Sequence, residues 1–216
     1  MNDQYEKITE TVRAAFAAKN AARDMALSRS RELIRQCSEC IRAVHRQEWE
    51  AAEARLEILR TAAAELRAVV ASHPDLYHSG YTQDALKEVV EAFATYAIIR
   101  ERPLPTMDEL HVEAAAYING LAEAATELRR FILDILRRED PHSAEAERLL
   151  DWMDAIYDSL VTFDFPDAIT GDLRRRTDTV RGVLERTRGD LTNSLRQQRL
   201  QEALARFEEK VLGKDG

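Results

Sequence analysis

Residues 87–100 read "KEVVEAFATYAIIR", and this stretch decides the fold. Together with the preceding Leu86, the residues Val89, Val90, Phe93 and Ala97 fall at i, i+3, i+4, i+7 and i+11, the spacing of one helix face. The other side of the same helix carries Ala92, Thr95, Ile98 and Ile99, so it is apolar too. A helix that is apolar all round is buried on both sides, which places this segment inside an assembly of helices. Glu88 and Glu91 lie on the second side, about one turn apart and facing the same way. Glu91 is the only charged residue between Val89 and Ile99. An ionised carboxylate buried without a partner is strongly destabilising, so Glu91 must meet a cation, a proton or water.

The chain around this segment is built for helices. Among 216 residues there are only 7 Gly and 5 Pro, with abundant Ala, Glu, Arg and Leu, and 45% of the residues are hydrophobic. Good helix formers run for long distances with little turn chemistry, which gives an all-α fold with enough apolar mass for a sizeable core. The balance of 31 Lys+Arg against 39 Asp+Glu, a net charge of −8, disfavours indiscriminate binding to nucleic acid or anionic membranes but leaves room for a local basic surface. No apolar run approaches the roughly 20 residues of a membrane span, and "MNDQYEKITE" lacks the apolar stretch of a signal peptide, so a soluble, cytoplasmic protein is expected. Cys37 and Cys40 form a C-x-x-C without a second Cys pair and without a neighbouring strand. This fits two small helix residues in a reducing compartment better than half a zinc site or a redox motif.

Punctuation by Pro and Gly is sparse. Residues 5–46 read as one long helix and 47–71 as a second or its continuation. "SHPDLYHSGY" (72–81) is a break, a third helix runs from about Thr82 to Arg100, and "ERPLP" (101–105) is a turn. Thr106 is then the N-cap of a fourth helix reaching about Arg138, with Asp108 and Glu109 in its first turn. "EDPHS" (139–143) breaks the chain again, with Ser143 as a cap. A fifth helix covers 144–162, "FDFPDAITGD" forms a structured connection, and a last long helix runs from 172 to 211. Short connections give a single-domain antiparallel bundle of about six to seven helices.

The fourth helix repeats the acidic arrangement of the third. Leu110, Ala114, Tyr117, Leu121, Leu128 and Ile132 form its expected core stripe. Glu123 and Glu127, at i and i+4, stand away from it on a flank with Ala116 and Gly120, where small residues allow another backbone to approach. Because "ERPLP" folds this helix back on the third, Glu91 and Glu123 are expected to meet near the middle of the bundle. Carboxylates gathered in a partly buried place repel one another unless they are protonated or share a cation. Oxygen donors without convergent His or Cys suit Mg²⁺ or Mn²⁺. Spacing alone also allows a plainer reading, in which these are surface residues paired with Lys87 and Arg130.

The same residues carry a resemblance. "EVVEAF", "MDELHVEA" and "YINGLAEAATELRRFIL" resemble the translin family, in particular its nuclease subunit, translin-associated factor X. That family shows an E-Y-V-E-A helix, an "MDEI" helix start and a "DYLLGVADLTGELMR" helix. "LLDWMDAIYDSLVTFDFP" is similar to the family's "FLRQVYDGFSFI", "ARDMALSRSRELI" to its "SRDITVESKRTIF", and "LRRRTDTVRGVLERTRGDLTNSLRQ" to its last helix. The likeness spans nearly the whole chain and is best from Leu86 to about Leu128. It implies metal-binding and catalytic carboxylates at Glu88, Glu91, Glu123 and Glu127, the third being Glu where the family has Asp. It further implies Mg²⁺- or Mn²⁺-dependent endoribonuclease activity on single-stranded RNA, with no organic cofactor. A compact prokaryotic or archaeal form is implied, able to close as a homo-octameric shell, with a separate translin-like partner subunit left open.

Candidate RNA contacts are Arg31, Arg35, Arg42 and Arg46, which fall on one face of the first helix. Glu39 and Glu50, four residues after Arg35 and Arg46, would absorb part of that charge as ordinary i,i+4 pairs. The run Arg174–Arg176 has the same standing. His78 and Lys87 lie near the acidic helix and could meet substrate, although His73 and His78 also suit solvated loop positions. Trp49 and Trp152 are expected to pack against helices or subunits. Two other readings stay open: an all-α nucleoside triphosphate pyrophosphohydrolase of the MazG type, and a non-catalytic RNA-binding scaffold. A di-iron bundle is disfavoured because Glu-x-x-His pairs are missing from both acidic helices.

Overall fold

The structure, a computed structural model, describes residues 2–137 and 144–212, and among these every regular element is a helix. The long helices are α1 (Asn2–His45), α2 (Trp49–Val70), α4 (Gly80–Ile99), α6 (Ala114–Leu136), α7 (Ala144–Leu160) and α9 (Leu173–Leu212). Single turns sit in the connections: α3 (Pro74–Tyr77), α5 (Met107–Leu110) and α8 (Asp167–Thr170). The fold is thus all-α, as expected; the connection at 163–172 is structured, as expected, and the break at 72–81 also holds a turn of helix. The expected break at 139–143 and its Ser143 cap lie outside the described residues. No described helix is long and apolar enough to cross a membrane.

The helix packed on all sides is α4. It touches α1 and α2 on one side and α6 and α7 on the other, and every residue from Val89 to Ile99 is buried. This is the consequence of the two apolar faces read from residues 87–100. A second central element, α6, is flanked by α4, α7 and α9. The hairpin of α1 and α2 covers one face of this pair, and α7 and α9 cover the other.

Two sequence expectations need correction. The fourth helix is two helices. Thr106 and Glu109 close a capping box, with Glu109 N donating to Thr106 Oγ1 at 3.2 Å and Thr106 N to Glu109 Oε2 at 2.7 Å. His111 then adopts the left-handed region at φ 53°, which no helix interior tolerates, and α6 restarts after Glu113. The restart, and the packing of α6 between α4 and α9, shift its buried face to Ala116, Gly120, Ala124, Leu128 and Phe131, leaving Ala114 exposed. The expected Arg46–Glu50 pair also fails. Helix α1 ends at His45 and Gln47 takes φ 60°, so residues 46 and 50 do not share a helix.

The N-terminal part of α1 and the C-terminal part of α9 carry exposed apolar residues: Tyr5, Ile8, Val12 and Phe16 on α1, and Leu200, Leu204, Phe207 and Val211 on α9. Their spacing is that of helix-packing stripes.

Candidate metal centre and cleft

The site is made by the closest approach of α4 and α6. A Cβ placed on Gly120 would lie 2.6 Å from Val90 Cβ and 2.7 Å from the Lys87 carbonyl oxygen, so only glycine lets the two backbones meet there. One turn further along α6, Glu123 is carried against Glu88 and Glu91 of α4. One carboxylate oxygen of each of the three lies within 4.8 Å of the others. Glu91 is the innermost, at 8% exposure. Burial, reinforced by the neighbouring Glu88 and Glu127 carboxylates, pushes its pKa up to about 8.

Two cations share this cluster. Lys87 is only 5% exposed, donates to Glu88 Oε1 at 2.7 Å and to Glu123 Oε2, and lies 3.4 Å from Asp84. Arg176, from the first turns of α9, donates to Glu123 Oε1. The plainer reading of the sequence had Lys87 and Arg130 as partners; Lys87 is one, while exposed Arg130 is replaced by Arg176.

Glu127 is turned elsewhere. Its Oε2 is 2.6 Å from Nε2 of His45, whose side chain is 3% exposed at the end of α1. Nδ1 of that imidazole is buried without a hydrogen-bond partner among the described residues. The structure therefore joins Glu88, Glu91 and Glu123 into one cluster and pairs Glu127 with His45 beside it.

The cluster opens into a cleft of about 510 Å³ lined by Glu88, Glu91, Glu123, Thr126, Arg175 and Arg176. A second cavity of about 600 Å³ lies alongside, lined by His78, Lys87, Glu113, Asn119 and Ile169 among others, and Arg176 belongs to both. Exposed His78 stacks edge-on against Tyr77, with ring centroids 4.8 Å apart. Arg31, Arg35 and Arg42 are exposed on α1, and Arg46 is exposed in the turn just after it; all four lie outside both cavities. Arg35 is held by Glu32, at 2.9 Å, and by Glu39, whereas Arg31, Arg42 and Arg46 make no ion pair among the described residues.

Two site residues escape sequence reasoning in different ways. The Arg174–Arg176 run stands out as a charge cluster, but nothing local singles out Arg176 as the one that reaches Glu123. His45 has no signal at all, because its partner lies 82 positions away.

The donor set fits a hard divalent cation. Ligand oxygens at about 2.1 Å from Mg²⁺ span at most about 4.2 Å, close to the 4.8 Å within which these three oxygens already lie, so small side-chain rotations suffice. Beyond burial, the Glu88 and Glu127 charges that raise the Glu91 pKa are ones a dication would neutralise.

No protein-family model matches the chain. A relative does: the uncharacterised protein MJ0175 of Methanocaldococcus jannaschii is 31% identical over 195 residues, covering 89% of this chain and 85% of that protein. Among solved structures, AfC3PO superposes with a TM-score of 0.79 at 32% identity, over 86% of this chain and 96% of that one. The AfC3PO–duplex RNA complex gives a TM-score of 0.74 at 34% identity, over 86% and 95%. The chain belongs to the translin family. Apo-NeC3PO, at 20% identity and a TM-score of 0.77, shares the translin-like fold over 86% of this chain and 96% of its own.

Proposed function

We propose that this translin-family chain is an endoribonuclease that uses Mg²⁺ or Mn²⁺ to cleave single-stranded RNA. The observation that carries the reading is the convergence of Glu88, Glu91 and Glu123 within 4.8 Å at an open cleft bordered by Arg175 and Arg176. The RNA complex of AfC3PO supports RNA as the substrate class.

In this reading Glu88, Glu91 and Glu123 hold the ion. Bound there, it supplies Lewis-acid polarisation of a phosphate oxygen and lowers the pKa of a water. Glu88, on the cleft wall, accepts the proton of the attacking water. Arg175 faces the same space and opposes the charge of the phosphodiester. Glu127, held by His45, adds negative charge beside Glu91 and keeps the cluster dependent on a cation. Exposed Arg31, Arg42 and Arg46 offer charge to flanking phosphates. The exposed apolar stripes of α1 and α9 suit packing between copies, and we take the working form to be a closed homo-octamer.

One observation favours a second reading. Both Glu123 oxygens are already engaged by Lys87 and Arg176. In this second reading the cluster is purely structural and the chain a non-catalytic RNA-binding scaffold.

The deciding experiment is cleavage of an end-labelled single-stranded RNA with Mg²⁺ or Mn²⁺, beside Glu91→Ala and Glu123→Ala proteins of unchanged oligomeric state. Cutting by the parent that both substitutions abolish is expected. RNA binding without cutting under either metal would establish the scaffold reading.

A further inference from the structure

Both oxygens of Glu123 already carry a cationic partner, so a metal ion bound there competes with them. Lys87 occupies its Oε2 and Arg176 its Oε1, and Lys87 also sits 2.7 Å from Glu88 Oε1. A dication ligated by those oxygens would lie against an ammonium and a guanidinium, at separations where like charges repel strongly even with a protein dielectric of about 20. Both cations have somewhere to go. Lys87 and Arg176 line the cavity of about 600 Å³ next to the carboxylate cleft, and together with Glu123 they form the partition between the two spaces.

We propose that Lys87 and Arg176 are a resident counter-ion for the carboxylate cluster, displaced by the divalent cation and then used to grip an RNA phosphate in the adjoining cavity. This inference rests on the metal-dependent nuclease reading above. Without metal, the two side chains neutralise Glu88 and Glu123, which keeps the bundle folded and leaves them poor ligands for phosphate. With metal, the carboxylates are taken, and both cations turn their charge outward. Metal and RNA then bind with positive coupling, and the coupling is reciprocal by thermodynamic necessity. The cell's RNA would be held firmly only by molecules already loaded for cleavage.

The competition has a signature opposite to that of a structural ion pair or of an ordinary phosphate contact: removing a resident cation should tighten metal binding. Mn²⁺ affinity is measured by electron paramagnetic resonance for the parent, Lys87→Met and Arg176→Gln. Lys87→Met keeps most of the buried volume. Arg176, with a side chain 27% exposed, is the safer substitution should Lys87→Met fail to fold. Both variants are expected to bind Mn²⁺ about tenfold more tightly than the parent, within the usual 5- to 150-fold range of coupled sites. In parallel, binding of a 2′-O-methyl oligonucleotide is compared in Ca²⁺ and in EDTA. The parent is expected to gain about tenfold in affinity with Ca²⁺ and the variants to lose that gain.

Unchanged or weaker Mn²⁺ binding in the folded variants, while the parent binds Mn²⁺ and cleaves RNA, overturns the resident-counter-ion inference and leaves the nuclease reading intact. An oligonucleotide affinity in the parent that is indifferent to Ca²⁺ overturns the phosphate grip. If neither parent nor variants bind Mn²⁺, the nuclease reading falls and takes this inference with it.

Discussion

Replacing Glu91 by Gln removes one negative charge from the most buried point of the cluster and leaves the side-chain shape unchanged. Glu91 is 8% exposed, and its carboxyl is pushed from the ordinary 4.5 up to about 8, first by burial and then by Glu88 and Glu127. The sign follows directly: the folded state holds a proton that the unfolded chain has lost between these two values, so stability falls as pH rises through that window. Below about pH 4.5 the residue exacts no penalty, and above about pH 8 the loss is complete. At about 1.4 kcal/mol for each tenfold change in proton concentration, the interval from about pH 6 to about pH 8 costs the metal-free parent about 2–3 kcal/mol. Glu91→Gln has no such term. For a chain of this size about 1 kcal/mol moves Tm by about 2–4 °C, so in EDTA the parent should lose about 5–10 °C more than Glu91→Gln between about pH 6 and pH 8.5. Thermal melts followed by circular dichroism read this difference. Mn²⁺ at pH 8.5 should then restore the parent and leave Glu91→Gln almost unmoved, because a ligand stabilises only the state that binds it. Parallel loss of Tm in the two proteins, or equal rescue by Mn²⁺, would refute the assignment of Glu91 as a buried, charge-stressed metal ligand.

Gly120→Ala should destabilise the protein by about 2–3 kcal/mol in urea titration, even though alanine favours a helix, because the added methyl would meet Val90 Cβ at 2.6 Å. Mn²⁺ affinity should fall with it, as α6 and Glu123 are pushed off α4; an unchanged affinity would mean that the contact does not set the carboxylate spacing. Because Glu127 is paired with His45 outside the three-carboxylate cluster, Glu127→Gln should change Mn²⁺ affinity by less than about threefold while Glu123→Gln lowers it by more than about tenfold, differences of under about 0.7 and over about 1.4 kcal/mol. Equal losses in a calorimetric titration would return Glu127 to the ligand set that the family resemblance implies. The Cys37 and Cys40 thiols are buried, the first pushed far above the ordinary thiol range and the second to about 12, mainly by burial. Neither should react with a disulfide reagent at pH 8 until denaturant unfolds the chain, since the thiolate is the reactive form; rapid labelling of the native protein would contradict their burial.

Much of the site is legible in the order of the residues. The two-sided apolar pattern of residues 87–100 requires α4 to be central, since a helix has no other way to bury both faces. The placement of Glu88, Glu91 and Glu123 follows from one-turn spacing and from a turn that returns α6 to α4, and Gly120 among small neighbours marks where the backbones approach. These are local signals, fixed by helical periodicity and side-chain size. Contacts between residues far apart in the chain needed the tertiary structure. Arg176 reaches Glu123 and His45 captures Glu127 only because α9 and α1 dock on opposite sides of α6 and α4, and no periodicity in either helix encodes those meetings. The split between α5 and α6 was hidden for another reason: His111 in a left-handed conformation is an uncommon event that its residue type permits without announcing. Sequence alone determined that Glu91 would sit inside a helical bundle, because its helix is apolar on both faces, and it brought the acidic faces of two successive helices within reach of each other. Which cations answer them, and which carboxylate stands apart, was decided by how the outer helices pack.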